Sequence, residues 1–189
     1  MKTHKYVDGL CYTLKILCPE VKELAERELG KLEGLIEKRM PLEKAHLGLK
    51  YLGYDRDYEI EERIDLVPEI KSVVDRYLPM EIRISGLGGF WNTSEWPSKP
   101  IIFLRIEENK RLRETHEELR RILKGRVDTF ELAEGEHYTP HITIAVGKSE
   151  YEGELKRRIG ASKFSVPSVF RMNKFGMRLK GDGLYIIRE

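Results

Sequence analysis

The chain has 189 residues, with 34 lysines and arginines against 32 aspartates and glutamates, and a formal net charge of +2. A chain of this length buries enough surface for one core, or for one domain of two lobes, and we expect a single domain over residues 1–189. The small net charge argues against a protein that wraps a long duplex nucleic acid. No apolar stretch approaches the ~20 residues of a membrane span, and the first residues contain no hydrophobic signal core, so we expect a cytoplasmic protein.

Amide and thiol side chains are scarce. The sequence has no glutamine and only three asparagines beside abundant lysine, glutamate and arginine, a bias that indicates a high-temperature organism. Cys11 and Cys18 flank an apolar run, and if that run is a strand their Cα atoms lie ~20 Å apart, too far for a disulfide. We therefore expect two reduced thiols.

Hydrophobic periods of two and of 3.6 residues alternate along the chain. In chain order they predict a strand over residues 12–17, a helix over 21–36, a strand over 45–52, a helix over 68–78, strands over 81–87 and 100–106, a helix over 109–124, a strand over 141–146, a helix over 150–159, and two or three strands from residue 164 to the end. This order mixes hairpins with crossovers. It indicates an α+β fold in which helices cover one face of an antiparallel sheet.

One short pattern occurs twice, as AHLGLKYLG over residues 45–53 and as PHITIAVG over residues 140–147. Each copy places a histidine at the start of a strand. Because side chains alternate across a strand, His46, Gly48 and Lys50 are predicted to share one face, opposite an apolar face. His141 and Thr143 share the corresponding face in the second copy.

Two strands that each present an imidazole suit concerted acid and base catalysis. At pKa values near ~6.5, one histidine can be neutral while the other is protonated. Attack on phosphorus and expulsion of an alkoxide need both states together. The Thr143 hydroxyl can donate a hydrogen bond to a phosphate oxygen, Gly48 leaves room for the phosphate, and Lys50 can offset its charge.

These two motifs resemble the paired His-x-Thr motifs of the two-histidine (2H) phosphoesterases, and most closely those of the LigT-like RNA 2',3'-cyclic phosphodiesterases, also called 2',5'-RNA ligases. The likeness extends to the first strand and helix, the GLGGF loop over residues 86–90 and the turn at residues 183–185. The resemblance implies a two-lobed, pseudo-twofold α+β domain in which two antiparallel sheets face a central cleft and helices lie on the outer faces.

The resemblance also implies an activity. Family members open a 2',3'-cyclic phosphate without a metal or cofactor, usually leaving a 2'-phosphate. By that resemblance His46 protonates the departing 3' oxygen and His141 activates water, and the reverse reaction exchanges these roles. The implied partner is an RNA 3' end or a small cyclic-phosphate nucleotide, and we expect a monomer.

Two residues depart from the family pattern. Gly48 stands where the family has threonine, which removes a hydroxyl donor worth about one to two orders of magnitude in rate. Val146 stands where an arginine is common in the ligase branch, and Lys50 or Lys148 is a possible substitute. The departures leave two alternatives open: an RNA-end or nucleotide-binding module with weak or lost catalysis, and a phosphodiesterase for a small cyclic nucleotide or cyclic ADP-ribose phosphate.

Aromatic and basic side chains supply further candidates for nucleotide contacts. Phe90 and Trp91 follow three glycines and would either stack on a base or pin their loop by packing. Residues 163–180 contain five basic residues and no acid, so this segment is the best candidate for a phosphate-binding patch. The full set of predicted contacts is Phe90, Trp91, Tyr138, Arg171, Lys174 and Arg178.

The other three histidines receive structural interpretations. His116 lies on the apolar face of its predicted helix and is expected in the core. His137 precedes His141 by four residues, but Pro140 and the strand pattern exclude the helix that a two-histidine metal site would need, so no metal is expected. His4 belongs to the chain terminus.

Overall fold

A computed structural model of the chain describes residues 11–54, 57–91, 99–127, 137–179 and 184–188. Its strands are β1 (Cys11–Leu17), β2 (Ile36–Arg39), β3 (His46–Tyr54), β4 (Met80–Phe90), β5 (Ile101–Ile106), β6 (His141–Gly147), β7 (Lys163–Met172), β8 (Phe175–Arg178) and β9 (Leu184–Arg188). Its α-helices are α1 (Lys22–Gly30), α2 (Ile60–Ile64), α3 (Val67–Tyr77), α4 (Lys110–Ile122) and α5 (Glu152–Ala161).

Within the described segments, nine strands form one hydrogen-bonded sheet. Eight of them follow the order β7-β4-β5-β6-β3-β1-β8-β9, and β2 pairs with β6 beside this path. All the pairings are antiparallel. Helices alternate with these antiparallel strands along the chain, so the predicted α+β class is confirmed.

The sheet divides naturally into two halves, and the join between them is narrow. One half contains β7, β4, β5 and β6, and the other contains β3, β1, β8 and β9. Among the described residues, the ladder between the two halves contains one residue pair, Leu47 of β3 opposite Ile142 of β6. The resemblance implies two sheets, and here their central strands are joined through that pair.

Apolar side chains on one face of the strands form a continuous core with the helices. Leu47 and Ile142 are fully buried in this core. Each longer helix presents a short apolar stripe to it, for example Ile70, Val73 and Val74 of α3. Burial of these stripes, rather than helix propensity, supplies most of the stability of such short helices.

The region after α1 differs from the sequence-based prediction. The helix was predicted to continue to residue 36, because leucines recur there at helical spacing, but it ends at Gly30. Gly34 has φ +85°, a left-handed conformation that glycine adopts without strain, and it turns the chain into β2. The strand β2, which the hydrophobic periodicity did not predict, then pairs with β6.

Among the helices of the described residues, none has the length and apolar character needed to cross a membrane.

The join between the halves predicts a large stability cost at one position. Ile142→Ala removes a fully buried side chain and is expected to lower the free energy of unfolding by about 2–5 kcal/mol, measured by urea denaturation. Ile186→Ala removes the same atoms from a side chain that is 40% exposed and serves as the matched control, with an expected loss of about 0.5 kcal/mol. Equal losses at the two positions would contradict this account of the core.

Candidate functional site

The two motif histidines are held by the same backbone hydrogen bond. The Nδ1 atom of His46 lies 3.0 Å from the carbonyl oxygen of Lys44, and Nδ1 of His141 lies 2.7 Å from the carbonyl oxygen of Thr139. A carbonyl only accepts, so Nδ1 is the donor in both rings, and Nε2 is left to exchange a proton. The acceptor is two residues before the histidine in each case, which fixes both imidazoles in the same tautomer.

The join at Leu47 and Ile142 places these rings on one face of the sheet. The two apolar residues point into the core, so the residues on either side of them point to the opposite face. The side chains there are partly exposed. His46, Gly48, His141 and Thr143 therefore lie together on adjacent strands, as the sequence pattern predicted.

The structure does not bring Lys50 to this face. Lys15 of β1 lies opposite Gly48, but the next residue pair along these strands is Leu14 with Lys50, so Leu49 is an extra residue in β3. Such a β-bulge interrupts the alternation on which the prediction rested. Lys50 consequently shares the face of the buried Leu14 and is itself only 3% exposed. Lys15 takes the place beside the histidines.

The second motif contains the same bulge at the same distance from its histidine. Phe103 of β5 lies opposite Thr143, and the next pair is Ile102 with Ala145, so Ile144 is the extra residue. Leu49 and Ile144 each lie three residues after their histidine. The two halves of the site are thus built on one plan, with Lys15 and Phe103 in corresponding positions.

Aromatic rings surround His141. The ring centroid of Phe90 lies 4.9 Å from that of His141 in an edge-to-face arrangement, and the Phe103 centroid lies 5.1 Å from it. The two phenyl rings are 4.6 Å apart. Phe90, a predicted nucleotide contact, is therefore at the site together with Phe103, which belongs to no sequence motif.

Trp91 lies elsewhere. Its ring sits directly over Gly89, where an added Cβ would be 2.5 Å from the indole, and Lys156 of α5 lies 5.6 Å from the ring centroid. Residues 89 and 91 face the helix side of the sheet, and Phe90 faces the histidine side. The structure therefore favours the packing interpretation for Trp91.

Cationic side chains surround His46. The pKa of His46 is lowered to about 4. The largest cause is removal of the imidazole from water, and the second is the positive charge of Lys15. Positive charge on His141 and Arg178 acts in the same direction. Removal from water also lowers the pKa of His141, against the hydrogen bond to Thr139. Both rings therefore favour the neutral form in the free protein, and protonation of His141 would further disfavour protonation of the nearby His46.

Tyr138 is buried beneath the site instead of lining it. It is 7% exposed, and its ring stacks on His116 with centroids 3.9 Å apart. The Tyr138 hydroxyl donates to the carbonyl oxygen of Gly48 at 3.1 Å, and Nδ1 of His116 donates to that of Leu49 at 2.7 Å. The pair holds the backbone of β3 just where it separates from β6. His116 lies in the core, as predicted.

The acid-free segment does not form one basic patch. Arg171 is in β7, at one edge of the sheet, and Arg178 is in β8, with five strands between them. Arg171 lines a surface cavity of about 360 Å³ near Pro79 and Asn109. Lys174 is exposed in the turn before β8, and Lys180 lies outside the described residues. Of the segment's basic residues, Arg178 has a charge that acts at a site histidine.

Lys148 is the other residue that could replace the arginine common in the ligase branch, and it also points away from the histidines. Its ammonium group donates to the carbonyl oxygen of Gly34 at 2.9 Å.

Throughout the described part of the chain, histidine, cysteine and carboxylate side chains form no group of three or more that could hold a metal ion.

A sequence profile of the 2'-5' RNA ligase superfamily matches residues 18–184. The chain belongs to this superfamily. The predicted 2H phosphoesterase relationship is thereby confirmed, and a LigT-like member is consistent with it. No curated protein matches the sequence significantly.

Several solved structures share the fold of this chain. A Thermus thermophilus protein has 19% sequence identity and a TM-score of 0.54, over 95% of this chain and 94% of that one. E. coli LigT complexed with 3'-AMP has 13% identity and a TM-score of 0.55, over 95% of each chain. A structure described as a phosphoesterase has 13% identity and a TM-score of 0.54, also over 95% of each chain.

The environment of the histidines predicts their titration in the free protein. By NMR of the imidazole carbon shifts, His46 is expected to titrate near pH 4 and His141 below the ordinary value of 6.5, because burial disfavours both protonated rings. Saturating inorganic phosphate should raise both pKa values, since a nearby anion favours the imidazolium. Titration of His46 at or above pH 6.5 without phosphate would contradict the geometry described.

Proposed function

We propose that this protein hydrolyses 2',3'-cyclic phosphates at the ends of RNA or of nucleotides, without a metal, and leaves a 2'-phosphate. The observation that carries the proposal is the matched pair of imidazoles on one face of adjacent strands. In each ring Nδ1 donates to a backbone carbonyl, which leaves Nε2 to exchange a proton. Membership of the superfamily supports the same reaction class.

The reaction uses the two Nε2 atoms in opposite senses. One accepts a proton from a water molecule as the water oxygen bonds to phosphorus, and the other donates a proton to the 3' oxygen as the P–O3' bond breaks. The family resemblance assigns the donor role to His46 and the acceptor role to His141. In a 2'-5' ligation a 5' hydroxyl takes the place of water and each histidine keeps its task, whereas in the reverse reaction, which re-forms the cyclic phosphate, each histidine performs the other task.

A bound phosphate supplies the protonation state that this mechanism requires. Both rings favour the neutral form in the free protein because burial lowers their pKa values. A substrate phosphate between them adds a negative charge in a poorly hydrated site, which favours protonation of one ring. The Thr143 hydroxyl, on the same face, donates to a phosphate oxygen.

The aromatic residues beside His141 suit the nucleoside part of the substrate. Phe90 is partly exposed next to the catalytic imidazole, with the buried ring of Phe103 packed behind it, and aromatic rings bind unpaired bases by stacking. E. coli LigT, which shares the fold, has been crystallised with 3'-AMP, ATP and NADP+. Together with the net charge of +2, this supports a nucleotide or an RNA end as the ligand.

Removal of either histidine tests the proposal. His46→Ala and His141→Ala are each expected to lower kcat for a 2',3'-cyclic mononucleotide by about 10²–10⁴, because each removes a proton-transfer group. His137→Ala is the control, since this histidine is exposed and precedes β6, and its activity should equal that of the wild type. Activity is also expected to survive in a chelator.

The same assay separates the alternatives. Near-wild-type turnover in either site variant would refute the mechanism. Binding of a 2'-phosphorylated oligonucleotide by a wild-type protein that shows no turnover would favour a binding module. A strong preference for a small cyclic nucleotide over cyclic-phosphate-ended RNA would identify a small-molecule phosphodiesterase, and chromatography of the product gives the position of the phosphate.

A further inference from the structure

The two halves of the site differ at the position that follows each histidine by two residues. The second half has Thr143 there, whose hydroxyl can bind phosphate, and the first half has Gly48. A Cβ added at Gly48 would meet no atom within 4 Å. The structure therefore has open space where a first-motif hydroxyl would lie, and no backbone constraint requires glycine.

Lys15 lies at the edge of this space. It is opposite Gly48 of β3 on one side and opposite Gly176 of β8 on the other. Residues opposite one another in an antiparallel sheet share a face, with Cα atoms ~4.5–5.5 Å apart. Lys15 is only 9% exposed and its charge acts at His46, so its side chain lies on the site face between two residues that have no side chain.

The charge of Lys15 acts directly on the first histidine. Lys15 is the largest electrostatic contributor to the lowered pKa of His46, ahead of His141 and Arg178. A positive charge that disfavours the imidazolium in the empty site is offset once an anion binds between them. When phosphate is bound, Lys15 therefore does little to prevent protonation of His46.

Comparison of the halves shows that Lys15 stands where the other half has an aromatic residue. Phe103 is opposite Thr143 and Gly88, just as Lys15 is opposite Gly48 and Gly176. The half around His141 thus combines a hydroxyl with a phenyl ring. The half around His46 combines an empty position with an ammonium group.

We infer that Lys15 holds the scissile phosphate from the His46 side, donating an ammonium N–H across Gly48 into the space that the hydroxyl of a His-x-Thr motif would occupy. Gly48 is then the complement of Lys15, because it gives the ammonium group and the phosphate access to each other. The inference rests on the proposed function for its substrate. It assigns the first motif a charged donor in place of a neutral one.

The experiment compares Lys15→Met, which keeps the length of the side chain and removes its charge, with Lys110→Met at an exposed position of α4. Binding of inorganic phosphate, measured by calorimetry at pH 7.5, should weaken about ten- to hundredfold in Lys15→Met, the range for loss of a charge-assisted hydrogen bond. The control should bind like the wild type. Lys15→Arg should retain most of the affinity.

A rescue distinguishes phosphate binding from a merely structural role. Gly48→Thr should restore kcat/KM about tenfold in the Lys15→Met protein and change it less than about threefold in the wild type, because the hydroxyl and the ammonium group serve the same oxygen. Unchanged phosphate affinity in Lys15→Met, or no rescue by Gly48→Thr, would overturn the inference. If Lys15→Met fails to fold, a gain above tenfold for Gly48→Thr alone would overturn it.

The phosphodiesterase activity and phosphate binding by Lys15 are tested by separate measurements. A wild-type protein that does not turn over cyclic phosphates refutes the proposed function. The phosphate affinities of Lys15→Met and Lys110→Met still decide whether Lys15 binds the anion.

Discussion

The site depends on the strand register at the join between the two halves of the sheet. Leu47 and Ile142 lie opposite each other at the join of β3 and β6, and both are fully buried. Because their side chains must enter the core, the residues that flank them must face the other way. A slip of one residue in either strand would bury one imidazole and expose an apolar side chain. The stability of the core and the geometry of the histidine pair are therefore set by the same register.

Beyond that join the strands separate, and different residues complete each half. Tyr138 and His116 donate to backbone carbonyls of β3 where the pairing with β6 ends. Matching bulges at Leu49 and Ile144 give both halves one backbone plan. On that plan the chemistry is asymmetric, because aromatic rings lie beside His141 and positive charges act at His46. This asymmetry fits a substrate with a base at one end and a phosphate at the other.

The histidine pair was predictable from sequence because strand periodicity is reliable over a few residues. His46, Gly48, His141 and Thr143 all lie before the bulges, where alternation holds. Lys50 lies just after one, and the extra residue moved it to the core face. The alternation of Lys15 with the apolar Leu14 and Ile16 indicated that it lies on the opposite face of β1 from the core. The sequence did not indicate that this face of β1 would border the histidines.

Features that depend on sheet order were the least predictable. The basic residues of 163–180 are close in sequence, but β7 and β8 lie far apart in the sheet. Trp91 and Phe90 are neighbours that face opposite sides. Likewise, β2 follows from the left-handed backbone of Gly34 and from an open edge of β6, and neither is visible in hydrophobic periodicity.

The most direct test of the account is the pH dependence of kcat/KM for a 2',3'-cyclic nucleotide. Two imidazoles that share one proton give a bell-shaped profile, and the lowered pKa values of the free protein place its maximum on the acid side of pH 6.5. His46→Ala and His141→Ala should each abolish the bell along with the activity. A profile that is flat, or that rises continuously above pH 8, would show that the histidine pair does not perform the chemistry.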